Sequence, residues 1–152
     1  QTEQKGVIAL SGLMFISAFI IAGLNFRFQW IKIPDIVVII SGIVFLLSYC
    51  MFGEVLRENT YLSRVVEVQE GQKVVDTGLY GIVRHPMYMA TILLFMAMPV
   101  VLGSWYALIS VCFYPAIIIV RLKDEEELLS RELPGYTEYK QKVKYRMIPF
   151  VW

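Results

Sequence analysis

Charge is scarce in this sequence: 18% of its 152 residues are Asp, Glu, Lys or Arg, against 57% hydrophobic. A water-soluble domain of this length could not hide so much apolar surface, because small folds keep a high surface-to-volume ratio. The excess has to face lipid. Net charge is only +1, which excludes the basic footprint of a nucleic-acid binder. Cysteine is nearly absent, with Cys50 and Cys112 alone. Without CxxC spacing they make no metal cluster, and no metal is expected. Each sits inside an apolar run and reads as a small buried hydrophobe. No basic n-region with a small-residue cleavage site precedes the first apolar run, and Phe150-Val151-Trp152 is not a prenylation box. The sequence opens on Gln1 rather than Met, which leaves room for a further upstream span.

What is present is a series of uncharged stretches. Gly6 to Phe26 carries no charge and matches one bilayer thickness at ~1.5 Å per helical residue. Ile36 to Gly53 is a second, entered through Pro34 and Asp35 as a helix start. From His85 to Val120 no Asp, Glu, Lys or Arg occurs. That run is too long for one span, and Pro99, Gly103 and Ser104 lie near its middle. It predicts a helical hairpin whose arms are each slightly short, with Pro115 kinking the returning arm. The fold class expected is all-α and integral to the membrane. About four transmembrane helices lie near 6–26, 34–58, 86–101 and 104–128 of a single domain, 1–152. A loop over 59–85 and a C-terminal segment over 129–152 complete it.

The loop is polar, but Val65-Val66, Val68 and Val74-Val75 around Gly71 suggest extended segments joined by a turn. Asp124 to Glu132 should carry the last span out of the membrane, and Pro134-Gly135 should end it. Tyr136 to Val143 then reads as a short helix with Tyr136, Tyr139 and Val143 on one face. Gly42 and Ser48 are small enough to permit close helix packing. All cations except Arg27 and Lys32 fall on the side of the loop and both termini. The positive-inside bias places that side in the cytoplasm.

Two polar clusters flank the uncharged hairpin, Gly78 to Tyr88 and Arg121 to Leu129, and a hairpin returns them to one membrane face. Pro86 suits the first turn of a helix, which puts His85 at its mouth beside unpaired backbone donors. A plainer reading makes Arg84 and Tyr88 interfacial anchors. Arg121 and Glu125 share a helix face at i,i+4. The order cation before anion is the less favourable one, so helix stabilisation explains the pair poorly. A solvated acidic face is the plainer reading of Glu125, Glu126 and Glu127.

Taken together, Gly78, Tyr80, Arg84, His85, Pro86 and Tyr88, then Arg121, Glu125, Glu126 and Leu129, then Tyr136 and Tyr139 form a pattern that resembles the isoprenylcysteine carboxyl methyltransferases. It also resembles their phospholipid methyltransferase relatives. Arg146-Met147-Ile148-Pro149 fits the family's ending, and the resemblance runs from about Val65 onward. Ala90 stands where many relatives have Gly, and Pro134-Gly135 replaces the usual turn before Tyr136. The resemblance implies S-adenosyl-L-methionine as cofactor, in a pocket built by the loop and the C-terminal helices. The contacts it implies are Glu67, Gln72, Lys73, Val74, Val75, Tyr80, His85, Pro86, Met87, Tyr88 and Glu125. The residues it implies for catalysis are Arg121, Glu125 and Glu126, with Arg121 aligning the acceptor. The partners expected are a lipophilic or prenylated substrate and membrane lipid, met at a site on the membrane edge between the hairpin and the Ile36–Glu58 helix. The activity implied is methyl transfer to a lipophilic carboxylate, with a phospholipid amine or a small hydrophobic thiol or acid as the nearest rival acceptor. Sterol reductases have a similarly built C-terminal region and use a nicotinamide cofactor, so a reductase is the second rival. A membrane scaffold is the non-enzymatic alternative.

Overall fold

A computed structural model describes residues 2–62 and 67–152, with side chains from residue 9 onward. Six α-helices are seen among these residues: α1 Thr2–Phe28, α2 Asp35–Glu58, α3 Pro86–Val101, α4 Trp105–Val111, α5 Tyr114–Glu132 and α6 Tyr136–Lys142, with a 3-10 turn at Gly78–Gly81. No strand occurs among the described residues. Among the described residues three stretches are long and apolar enough to cross a membrane: Ala9–Phe28, Asp35–Glu58 and Trp105–Glu132, the last being α4 and α5 together. Pro86–Val101 is apolar but shorter, ~24 Å at the α-helical rise against a hydrocarbon core of ~30 Å. Leu13, Ile16 and Phe19 on α1 and Ile39, Leu46 and Leu47 on α2 are exposed. A row of this kind is untenable in water and ordinary in lipid. The protein is an all-helical integral membrane protein.

The chain forms two compact units, one of 1–49 with 91–117 and one of 50–90 with 118–152. In the first, Ala18 and Ala22 of α1 pack with Ala107 and Val111 of α4. Side chains this small let helix backbones approach closely where lipid supplies no hydrophobic drive. Phe15, Phe95 and Tyr114 form an aromatic triad with centroids 4.3, 5.7 and 5.1 Å apart. Asn25 is buried and satisfied: its Nδ2 donates to the carbonyls of Ile31 and Gly103, and its Oδ1 accepts from the Ile31 N–H. It ties the turn after α1 to the turn before α4.

The hairpin's first arm ends where expected, with α3 running through Pro99 to Val101. The turn comes at Gly103, where φ is +76°, and the Ser104 side chain caps α4 by accepting from the Ala107 N–H. Some local expectations need correction. Pro115 does not kink the returning arm. The break falls at 112–113, and Pro115 lies in the first turn of α5, where its missing N–H costs nothing. Cys50 and Cys112 are exposed rather than buried; on a spanning helix the outer face is as apolar as a core. Ser48 is buried, but open space surrounds Gly42, so no close packing occurs there. Around Gly71 the chain makes the expected turn, with the Gln72 N–H donating to the Gln69 carbonyl. The flanking residues 67–69 and 73–75 pair in no ladder, and Val65-Val66 lie outside the described residues.

The second unit is built on a tyrosine–leucine core. Leu129, Leu133, Tyr136, Tyr139 and Val143 pack together, with Val68 and Val74 against them. The predicted buried face of α6 is therefore present. Gly135 supplies the left-handed residue, φ +84°, that turns the chain from α5 into α6.

Candidate active site

The second unit holds an open cavity of about 810 Å³, counted with the open solvent at its mouth. One wall is the loop, with Glu67, Gln72, Lys73, Val74 and Val75; another is the start of α3, with His85, Met87 and Tyr88. Arg121 and Glu125 of α5 face it, and Tyr80 lines it as well. Pro86 and Glu126 do not: Pro86 is fully buried in its helix start, and Glu126 is turned away. The cavity also takes in residues not assigned to it from the sequence, namely Asn59, Tyr61, Leu62, Arg84, Leu128, Leu129, Leu133, Tyr136 and Tyr139. Five of these could have been suspected. Arg84, Leu129, Tyr136 and Tyr139 belong to the motif itself, and Leu128 adjoins Leu129.

Two adjoining glutamates on α5 serve different surroundings. Glu126 is 4% exposed and gathers two arginines and a histidine. Arg84 Nε donates to its Oε1 at 2.6 Å, Arg146 Nε donates to its Oε2 at 2.8 Å, and His85 Nε2 lies 3.3 Å from its Oε1. The Arg84 guanidinium also donates to the carbonyls of Val143 and Lys144, at 2.7 and 2.9 Å. Main-chain bonds complete a strap, from the Arg84 N–H to the Tyr145 carbonyl and from the His85 N–H to the Arg146 carbonyl. Arg84 is therefore no interfacial anchor. It is 7% exposed, and its planar fork pins the Arg-His-Pro corner to the C-terminal segment.

Glu125 faces the cavity instead. Its carboxylate accepts a hydrogen bond from the Tyr88 hydroxyl, which in turn accepts from Arg121 Nε at 3.1 Å. Tyr88 thus bridges the acid and the arginine. The His85 ring lies stacked on the Tyr88 ring, centroids 5.7 Å apart. The two clusters separated by the uncharged hairpin meet within one unit, as the fold-back requires.

The loop end is fixed from α2. Glu58 Oε2 accepts from the Leu79 N–H at 3.0 Å, and Gly78 sits so close beneath this carboxylate that a Cβ there would collide with it. Asn59 Nδ2 donates to the Tyr80 hydroxyl at 3.0 Å, and the Tyr139 hydroxyl donates to the Tyr80 carbonyl at 2.7 Å. Burial pushes the Tyr80 phenol up to about 12. It also raises those of Tyr136 and Tyr139, so all three stay neutral donors at physiological pH. The Tyr136 hydroxyl is buried with no hydrogen-bond partner among the described residues. Such a group costs about 1–3 kcal/mol unless an occupant or a small shift brings it an acceptor.

The arrangement offers a polyfunctional ligand an acid, a cation, tyrosine donors and apolar faces within one chamber. Among the described residues no His, Cys, Asp and Glu group is arranged to hold a metal ion. A Delta(14)-sterol reductase of Mus musculus is 29% identical over 85 residues, covering 54% of this chain and 20% of that protein. The chain thus spans about a fifth of the length of that curated relative. The family model described as phospholipid methyltransferase matches residues 32–134, which takes in the loop, the hairpin and both glutamates, and the chain belongs to that family of membrane methyltransferases.

Proposed function

We propose that this protein transfers a methyl group from S-adenosyl-L-methionine to a lipophilic acceptor bearing a carboxylate, as in isoprenylcysteine carboxyl methylation, at the cytoplasmic membrane face. The observation that carries this reading is the Arg121–Tyr88–Glu125 chain on the wall of the cavity.

The donor set suits the cofactor. Glu125 and Glu67 can meet its ammonium and sulfonium charges, and Lys73 its carboxylate. Leu129, Leu133 and the tyrosine rings give the adenine an apolar and aromatic wall. When bound, S-adenosyl-L-methionine supplies an electrophilic methyl group whose leaving group is a neutral thioether. A carboxylate acceptor is already ionised at neutral pH, so the protein need provide no strong base. Its task is alignment and the exclusion of water. Arg121 aligns the acceptor by forking its carboxylate, Tyr88 holds Arg121 in register, and Glu126 acts through Arg84 and His85 to keep the α3 corner in place.

The similarity to a sterol reductase favours a second reading, in which the cavity takes a reduced nicotinamide dinucleotide phosphate. The lining charges do not separate the two readings: Glu67 and Glu125 would repel a polyanion, Lys73 and Arg121 would attract it, and Arg84 is already committed to Glu126 and to two carbonyls.

A screen with labelled methyl donor tests the assignment in reconstituted protein. Prenylated thiol acids should yield base-labile methyl esters. A base-stable product on phospholipid amines would keep the transferase and remove the carboxylate acceptor. No transfer to either class, together with dinucleotide binding, would establish the reductase.

A further inference from the structure

The C-terminal strap ends in an apolar tip that the pocket does not use. Phe150 is 86% exposed and Val151 75%, with Ile148 beside them also exposed. The tip is built rather than frayed. The Ile148 carbonyl accepts from the Val151 and Trp152 N–H groups, and the Trp152 carbonyl accepts from the Met147 and Ile148 N–H groups. Phe150 holds a left-handed backbone, φ +63°, unusual for a bulky residue. Met147 and Val143, both buried, root the loop in the fold.

Amphipathic rings adjoin the tip, with Tyr145 against Phe150 at 5.4 Å and Arg146 over the Trp152 ring at 5.3 Å. Two lysines precede them in the chain: Lys144 is exposed, and Lys142 pairs with Asp76 at the surface. An exposed apolar tip in contact with aromatic rings and adjoined in the chain by lysines has the composition that suits a bilayer leaflet from acyl boundary to headgroup. It is also the pattern of segments that lie in the interface.

We propose that the Ile148–Val151 tip inserts into the headgroup–acyl boundary of an anionic bilayer, as a second membrane contact separate from the spanning helices. Through Arg146, which holds Glu126, and through the strap bonds to Arg84 and His85, this contact ties the wall of the cavity to the lipid surface. The proposal does not depend on the reaction assigned above.

Full-length protein is reconstituted in phosphatidylcholine vesicles containing phosphatidylglycerol, with Cys50 and Cys112 replaced by Ser. An environment-sensitive fluorophore is placed at Val151→Cys, leaving Phe150 intact, and at the exposed Thr137→Cys as a water-facing control. The label at 151 should be several-fold brighter, blue-shifted, quenched by brominated lipid and protected from aqueous iodide. Phe150→Ser should move it toward water. Emission and iodide quenching equal to those at 137 would overturn the proposal. So would a label shielded from iodide and brominated lipid alike, which would place the tip against protein.

Discussion

Arg84 Nε and Glu126 Oε1 lie 2.6 Å apart, 42 residues distant in the chain, with both side chains almost sealed from solvent. This pair closes the uncharged hairpin at its polar end. Arg146, on the same carboxylate, brings in the C-terminal segment. Everything that lines the start of α3 is positioned from this junction.

Removing the shared acid should cost far more than removing any one cation. Breaking a buried pair from one side costs ~3–5 kcal/mol, because an uncompensated charge is left behind. Glu126→Gln leaves Arg84 in that state, whereas Arg146→Gln removes a cation that is 35% exposed and should cost under about 1 kcal/mol. Thermal unfolding in detergent should rank Glu126→Gln lowest and Arg146→Gln near the wild type. Equal losses would mean that Glu126 is not the hub.

Gly78 is fixed by two conditions, its left-handed φ of +52° and the Glu58 carboxylate above it. Gly78→Ala should lower the unfolding temperature and expose the loop to proteolysis. Pairing it with Glu58→Ala should restore only part of the loss, since the backbone strain remains. Complete restoration would show the collision alone to matter.

Tyr88→Phe removes the hydroxyl that joins Arg121 to Glu125 while keeping the ring over His85. S-adenosylhomocysteine affinity should fall about tenfold, or ~1.4 kcal/mol, with little change in unfolding temperature. Unchanged affinity in calorimetry would take Tyr88 out of the cofactor site.

Arg121→Lys keeps the charge and loses the planar fork. It should lower kcat on the order of 100-fold, the scale of a misplaced reacting group, while S-adenosylhomocysteine still binds. A matching loss of cofactor affinity would reassign Arg121 from acceptor to cofactor.

Tyr80 carries a pH signature. Its phenol titrates near 12 in the fold because burial disfavours the anion, against about 10 in an unfolded chain. A raised folded value adds stability that is complete below about pH 10 and lost as pH rises toward 12. Tyr80→Phe should flatten that alkaline fall. A fall of unchanged steepness would place its cause elsewhere.

Much of this was legible from residue order. Uncharged length and helix-ending residues located the spans, because lipid admits few alternatives. The buried stripe of Tyr136, Tyr139 and Val143 followed from helical spacing. The division between Glu125 and Glu126 did not. Successive residues on a helix point about 100° apart, and only the strap, whose carbonyls lie 59 and 60 residues beyond Arg84, decides which acid turns inward. For the same reason Arg84 could be taken for a lipid anchor. The hairpin's turn was legible as well, since α3 ends at Val101 and the left-handed Gly103 follows it.

The most direct test of the central claim is a calorimetric titration of the purified protein with S-adenosylhomocysteine and, separately, with NADPH. S-adenosylhomocysteine should bind at one site, more weakly after Glu125→Gln, and NADPH should give no heat of binding. Binding of NADPH with none of S-adenosylhomocysteine would contradict the methyltransferase assignment of this cavity.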